Sequence, residues 1–274
     1  RWYLKFKSSK MYMTIFDNKY YIIRQGDFAT NGNTKILYST FSICLSIHDY
    51  IDTGSKDCVF ILIGSTFTWT MIEFLLQITA TRNIKPMYIT NLYGKKHYLH
   101  KYLGMFLQGF QEGGVVTTIG LYFGDRLFDF KYLLMYHVLI LFIIMSMFFK
   151  KNNWNNNNYS KRQINTTSSL GFMGTITLYN VKILYDNPMH FQRQATMFFA
   201  MIYISSIWTL MSYYKNFRNV ELQIKDSSNQ YVVKPHNYLD AFIILGYDIF
   251  FEIGVAYLTF YNWFLLPNSY SHLN

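Results

Sequence analysis

The stretch Leu239–Leu266, LDAFIILGYDIFFEIGVAYLTFYNWFLL, decides the fold because it could cross a bilayer yet carries Asp248 and Glu252 near its centre. A membrane-spanning helix needs about 20 predominantly apolar residues. Asp248 and Glu252 are about one turn apart and therefore share a helix face. The same face includes Val255, Thr259 and Asn262. Ionisable groups inside a membrane are costly and usually face protein or water. The stretch therefore predicts a membrane helix with its polar face inside a bundle.

The composition of the whole chain supports a membrane protein. Of the 274 residues, 51% are hydrophobic and only 15% are charged, whereas a soluble domain has about 25% charged residues. The formal net charge is +10, but no motif for binding nucleic acid is present. We therefore predict the lipid bilayer as the main partner, no nucleic-acid partner, and an integral membrane location.

Seven apolar segments are separated by polar connectors, which predicts an all-α, multi-pass transmembrane helix bundle. The predicted spans are residues 36–51, 58–80, 99–123, 132–149, 168–184, 195–214 and 239–266. The first is short, the third is unusually polar and the fifth is marginal. The connector that contains Asn155–Asn158 has a composition typical of disorder. The predicted organisation is a basic extramembrane segment, residues 1–35, a helical domain, residues 36–266, and a short tail, residues 267–274.

The N-terminal segment has two possible structures. Met11–Arg24 alternates in a way that predicts two short strands around Asp17 and Asn18, which would form an extramembrane hairpin. The same basic and aromatic residues could instead lie on anionic lipid headgroups.

The distribution of Lys and Arg predicts the orientation of the bundle. With seven spans, 20 of the 25 basic residues fall on the side of the N-terminus and 5 on the other side. Basic residues concentrate in cytoplasmic connectors. We therefore predict that the N-terminus is inside and the C-terminus outside. The sequons at Asn158 and Asn165 favour the opposite orientation.

Polar residues inside the spans are the candidate site residues. The predicted solute- or ion-binding set is Glu73, Gln108, Gln111, Glu112, His137, Asp248 and Glu252. In this topology Glu112, Asp248 and Glu252 lie at similar depths, so they could share one cavity. Each could instead only hydrogen-bond a neighbouring helix.

The basic residues nearest the span interiors are Lys101 and Lys182, and both lie at span ends, so the carboxylates lack obvious partners in the sequence. The pair Gly113–Gly114 indicates either close helix packing or a helix break that would expose backbone carbonyls to a cavity.

These observations predict a transporter or channel-like protein that moves protons, cations or a small solute through a carboxylate-lined interior. An alternative is a membrane enzyme that acts on a lipid, with a carboxylate as general acid or base and His137 or Tyr247 as its partner. A receptor or a structural subunit of a larger complex is a further alternative. Zinc, P-loop and nucleophile-elbow motifs are absent. The residues therefore predict no metal site and indicate no cofactor or catalytic residue.

Overall fold

A computed structural model describes residues 18–25, 30–79, 86–149, 159–164, 166–225, 228–235 and 237–269. These residues are mostly helical and include seven long helices. The helices are α1 Gly32–Thr53, α2 Asp57–Ile78, α3 Lys101–Asp125, α4 Phe130–Phe149, α5 Thr166–Asp186, α6 Phe191–Tyr214 and α7 Tyr238–Phe264. A short helix, α8 Leu266–Ser269, follows α7. Each predicted span thus overlaps one long helix.

Two of the helix starts and one helix end have clear local signals. The side chains of Asn31 and Asn237 cap α1 and α7, because each accepts a hydrogen bond from the backbone N–H two residues later. Helix α1 ends at Gly54, whose φ of 70° is in the left-handed region that glycine adopts without a steric penalty.

Four helices are long and apolar enough to cross a membrane. They are Asp57–Ile78, Phe130–Phe149, Pro188–Tyr214 and Tyr238–Phe264, from a search of the described residues. Large apolar side chains on α2 and α4, including Ile63, Phe67 and Leu141, are mostly exposed. Because soluble monomers rarely expose such continuous apolar surface, these helices indicate an integral membrane protein in contact with lipid.

The helices pack around a core rich in aromatic residues. Tyr122, Phe123 and Tyr136 are fully buried, and the Tyr136 hydroxyl donates a hydrogen bond to the Ala200 carbonyl at 2.5 Å. Gly124 of α3 lies directly against the backbone of Met197 in α6. The core therefore holds α3, α4 and α6 together.

A four-stranded antiparallel sheet covers one end of the bundle. Its strands are β1 Lys19–Gln25, β4 Tyr159–Ile164, β5 Arg218–Lys225 and β6 Tyr231–Val233, in the order β4-β1-β5-β6. A separate hairpin, β2 Tyr88–Thr90 and β3 Lys96–Tyr98, contacts Asn31 at the start of α1. We call this end of the bundle the sheet end and the opposite end the loop end.

The sheet corrects two sequence predictions and bears on a third. The fold is not all-α, because strands from the N-terminal segment and from two connectors pair with one another. Of the predicted hairpin, the second strand is present as β1, which has β4 on one edge and β5 on the other; residues 11–17, which hold the predicted first strand, lie outside the described residues. The connector predicted to be disordered contributes β4, although residues 150–158 and 165 lie outside the described part of the chain.

One face of the sheet points toward the helices. The register places Ile22 opposite both Arg162 and Val220, and places Arg24 opposite Arg218. Since side chains alternate between the faces of a sheet, these residues share one face. Ile22 and Ile164 pack on Ile244 of α7. The sheet therefore brings three arginines, as well as apolar side chains, against the bundle.

Candidate functional site

Three of the predicted carboxylates meet at one cavity. Glu112 of α3 and Asp248 and Glu252 of α7 line a cavity of about 300 Å³ that lies between the helices and the sheet. Gln108 and Gln111 line the same cavity. Five of the seven predicted site residues are therefore brought together.

Both helices that supply the carboxylates are π-helical at the cavity. The π-helical segments are Phe110–Val115, which contains Glu112, and Asp248–Val255, which contains Asp248 and Glu252. Regular α-helix precedes and follows each segment. Such segments are rare and occur frequently at functional sites. They change the angular spacing of the side chains, so the face expected from regular α-helical spacing is only approximate here.

The glycines of the first π-helical segment allow α3 to lie against α2. A Cβ atom at Gly113 would lie 2.5 Å from the carbonyl oxygen of Ser65, and one at Gly114 would collide with the Thr66 hydroxyl. Of the two alternatives that the sequence left open, the geometry favours close helix packing. This contact fixes the depth of Glu112 next to Trp69 of α2.

We expect Gly113→Ala to destabilise the protein by about 1–3 kcal/mol, because the added methyl group must displace the backbone of α2. The control is Gly174→Ala on α5, where nothing lies within 4 Å of the added atom. That change should be neutral or stabilising by up to about 1 kcal/mol, since alanine favours helix. Thermal unfolding in detergent measures the stability of both variants. Equal stabilities of Gly113→Ala and Gly174→Ala would contradict the tight contact between α2 and α3.

Glu112 is held by groups from three elements. Its Oε1 atom accepts a hydrogen bond from the Arg24 guanidinium of β1 at 2.5 Å. Its Oε2 atom accepts one from the indole N–H of Trp69 at 3.0 Å. The side-chain amide of Gln108 donates to Oε1 as well. These charge-assisted bonds fix the carboxylate at the cavity wall.

Asp248 and Glu252 share the arginines of β4 and β5. The Arg162 guanidinium lies 2.9 Å from Asp248 Oδ1 and 2.6 Å from Glu252 Oε2. Arg218 donates to Asp248 Oδ2 at 2.9 Å and to the Thr209 hydroxyl at 3.0 Å. Two helices and three strands are therefore connected by ion pairs around one cavity.

The two arginines differ in how their environment affects their protonation. Burial lowers the pKa of Arg218 to about 10, although Asp248 opposes this effect. Burial also disfavours the charge of Arg162, but Glu252 and Asp248 outweigh it and raise the pKa of that guanidinium. Both side chains are therefore cations at neutral pH, and both depend on the carboxylates for compensation.

A lysine and several aromatic and apolar side chains complete the cavity wall. Lys35 of α1 is buried and donates to the Gln111 side-chain oxygen at 2.6 Å. The aromatic and apolar residues that line the cavity include Tyr38, Trp69, Val116, Ile119, Ile143, Met147, Ile204, Trp208, Ile253 and Tyr257. The cavity is therefore charged near the sheet and largely apolar along the helices.

Two predicted site residues lie elsewhere. Glu73 is buried in α2 and does not line the cavity. His137 lies on the exposed side of α4, where its Nδ1 atom is 2.8 Å from the Leu133 carbonyl oxygen and its ring packs near Tyr203. A helical face can be read from sequence, but its rotation toward the core depends on tertiary packing, and this rotation places His137 away from the cavity.

The expectation that the carboxylates lack partners was also wrong. Their partners Arg24, Arg162 and Arg218 lie on strands outside the spans, and each is at least 30 residues in sequence from the carboxylate that it contacts. A signal was present in Arg218–Leu222, where the polar residues Asn219 and Glu221 alternate with the apolar residues Val220 and Leu222. Such alternation predicts that one strand face is buried, but it does not identify what lies against it.

A second group of ion pairs lies at the loop end. Arg126 pairs with Asp49 at 2.7 Å and with Asp52 at 3.0 Å. Arg193 pairs with Asp57 at 2.6 Å and Asp125 at 2.7 Å. These bonds connect the ends of α1, α2, α3 and α6.

Comparisons with known proteins identify no relative: no family model matches the chain, and neither a curated protein nor a solved structure matches it. Among the described residues, no group of three or more histidine, cysteine and acidic side chains could hold a metal ion. Function must therefore be inferred from the cavity and its charges.

Proposed function

We propose that the protein is a membrane transporter and that the cavity between the sheet and helices α3 and α7 is its solute-binding site. The observation that carries this proposal is the meeting of Glu112, Asp248 and Glu252 with arginines around one cavity of about 300 Å³. Charged groups inside a membrane bundle usually mark a transport pathway. Binding sites of transporters also commonly lie where helices depart from regular geometry.

Ion pairs at both ends of the bundle support a gating role. At the sheet end, Arg24 and Arg162 connect strands to α3 and α7. At the loop end, Arg126 and Arg193 connect four helices. In alternating access a site opens to one side at a time. In our proposal, the two groups of ion pairs break in turn to open the cavity.

The alternative of a lipid-processing enzyme has less support. The partners considered for a catalytic carboxylate were His137 and Tyr247, and neither lines the cavity. His137 is exposed on α4, and Tyr247 packs on the group formed by Ile22, Ile164 and Ile244.

Uptake by proteoliposomes tests the proposal. The purified chain is reconstituted, and vesicles are offered a panel of labelled small anions, cations and zwitterions, with a pH-sensitive dye inside to report proton flux. We expect uptake of at least one solute above that of protein-free vesicles. The lack of any flux across the panel, from a correctly folded sample, would contradict transport.

We also propose that all seven long helices cross the membrane, with the N-terminus inside and the C-terminus outside. The N-terminal segment that supplies β1 and the connectors that supply β4, β5 and β6 alternate with loop-end connectors along the chain, as seven crossings require. A protease-cleavable tag at the N-terminus should therefore be cytoplasmic, and one after Asn274 should be on the opposite side. Tags on the same side, or a glycan at Asn158, would contradict this topology.

A further inference from the structure

We infer that the cavity binds a small organic anion with an apolar part. The anionic group would contact the arginines of the sheet, and the apolar part would lie along the helices. This inference rests on the proposed transport function, because it names the class of solute that the transporter takes. It differs from the expectation from sequence, in which unpaired carboxylates favoured protons or cations.

The charges that line the cavity favour an anion. Among the described lining residues, four are basic, namely Arg24, Lys35, Arg162 and Arg218, and three are acidic, namely Glu112, Asp248 and Glu252. Each carboxylate already contacts at least one guanidinium. A cation would have to compete with an arginine for each of them, whereas an anion adds the negative charge that these residues lack.

The arrangement of the arginines also favours an anionic ligand. Arg24 and Arg218 lie directly opposite each other on β1 and β5, and like charges in cross-strand pairs are destabilising. Glu112 contacts Arg24 and Asp248 contacts Arg218, so each carboxylate reduces this repulsion. An anion beside both guanidinium groups would reduce it further.

One arginine also retains an unused donor. The Arg218 side chain is only 6% exposed, and its Nε atom has no hydrogen-bond partner among the described residues. A buried donor without a partner is costly, and a guanidinium can bind a carboxylate or phosphate through two parallel hydrogen bonds. Arg218 also lines the cavity, so this donor would gain a partner if the side chain turned toward an anionic group that enters it.

The size and the apolar wall define the rest of the ligand. A volume of about 300 Å³ is at the lower end of the range for small-molecule pockets, and it is too small to enclose a two-chain phospholipid. Ile119, Ile204 and Ile253 line the cavity together with Trp69 and Trp208. A compact anion with an aromatic or short aliphatic body suits this combination.

The carboxylates would then act as internal counter-ions. When the cavity is empty, Glu252 and Asp248 compensate Arg162. An entering anion would displace one carboxylate from a guanidinium, and the return of that carboxylate would favour release. Removing the charge of Glu252 should therefore strengthen anion binding, an effect that a purely structural ion pair does not predict.

Three probes of nearly the same shape test the inference: 3-phenylpropionate, 3-phenylpropanol and 3-phenylpropylamine. Binding to the full chain in detergent is measured by quenching of tryptophan fluorescence, since Trp69 and Trp208 line the cavity, and by the shift in Tm. The variants are Lys35→Gln and Glu252→Gln. The control is Lys182→Gln, which removes the charge of an exposed lysine outside the cavity.

We expect 3-phenylpropionate to bind at least ten-fold more tightly than the alcohol or the amine. Lys35→Gln should weaken its binding at least three-fold, Glu252→Gln should strengthen it, and Lys182→Gln should leave it unchanged. Stronger binding of the amine would overturn the anion class but leave a solute site in place. Competition by phosphatidylglycerol would assign the site to a lipid headgroup and overturn the assignment to a free solute.

The proteoliposome panel separates failure of this inference from failure of the proposed function. Uptake restricted to cations or zwitterions would overturn the anion class while supporting transport. The absence of both probe binding and flux would overturn the two proposals together.

Discussion

Arg162→Gln is expected to destabilise the folded protein by about 3–5 kcal/mol, the usual range when one partner of a buried ion pair is removed. Its guanidinium contacts both Asp248 and Glu252, which lie in the interior of α7. Without it, Glu252 loses its ion-pair contact with β4 and two carboxylates repel each other at close range. Chemical or thermal unfolding in detergent measures the loss.

A second substitution should reverse most of this effect. Glu252→Gln in the Arg162→Gln background removes the carboxylate that has lost its ion pair, while Arg218 still compensates Asp248. Lys161→Gln is the control, because Lys161 lies next to Arg162 on β4 but forms a partly exposed pair with Glu221. We expect the control to cost less than about 1 kcal/mol. Equal losses of stability for Lys161→Gln and Arg162→Gln would contradict the inward-facing role of Arg162.

Glu112→Gln and Glu252→Gln are each expected to lower solute uptake by at least ten-fold while preserving the fold. Glutamine keeps the shape of the side chain and can still accept a hydrogen bond from arginine. It removes the charge that, in our proposal, re-forms the ion pair after the solute leaves. Initial uptake rates at matched protein density in proteoliposomes measure this effect.

The double variant tests whether the two carboxylates serve one cavity. Since both line it, their effects on uptake should be non-additive, and Glu112→Gln with Glu252→Gln should be little slower than either single variant. Glu221→Gln, at the partly exposed pair on β5, should transport at the unaltered rate. Strictly additive losses would place the two carboxylates in separate sites.

The helices were predictable because their signal is local. Apolar segments identified the positions of α1 to α7, and the polar face through Asp248, Thr259 and Asn262 is buried as expected. Asn180 of α5 bonds to Thr259 and Asn262. The weakly apolar segments at α1 and α5 were also placed correctly as helices, because polar residues inside a bundle do not prevent helix formation.

The sheet and the basic residues of the cavity were not predictable from local sequence patterns. Strands β1, β4 and β5 are short and far apart in sequence, and their pairing depends on the helices that bring the connectors together. The carboxylates were found because a charge within an apolar segment is conspicuous. Arg24, Arg162 and Arg218 were missed because a basic residue in a polar connector is ordinary, and only the register of the sheet places them on one face.

Access to the cavity from both sides of the membrane is the most direct test of the proposed transport function. Ser205 lines the cavity, so Ser205→Cys can be introduced after both native cysteines, Cys44 and Cys58, are replaced by serine. A membrane-impermeant, negatively charged thiol reagent is then added to oriented proteoliposomes from one side at a time. We predict labelling from either side, slowed by the transported solute. Labelling from neither side, or from one side only under all conditions, would contradict a transport pathway through this cavity.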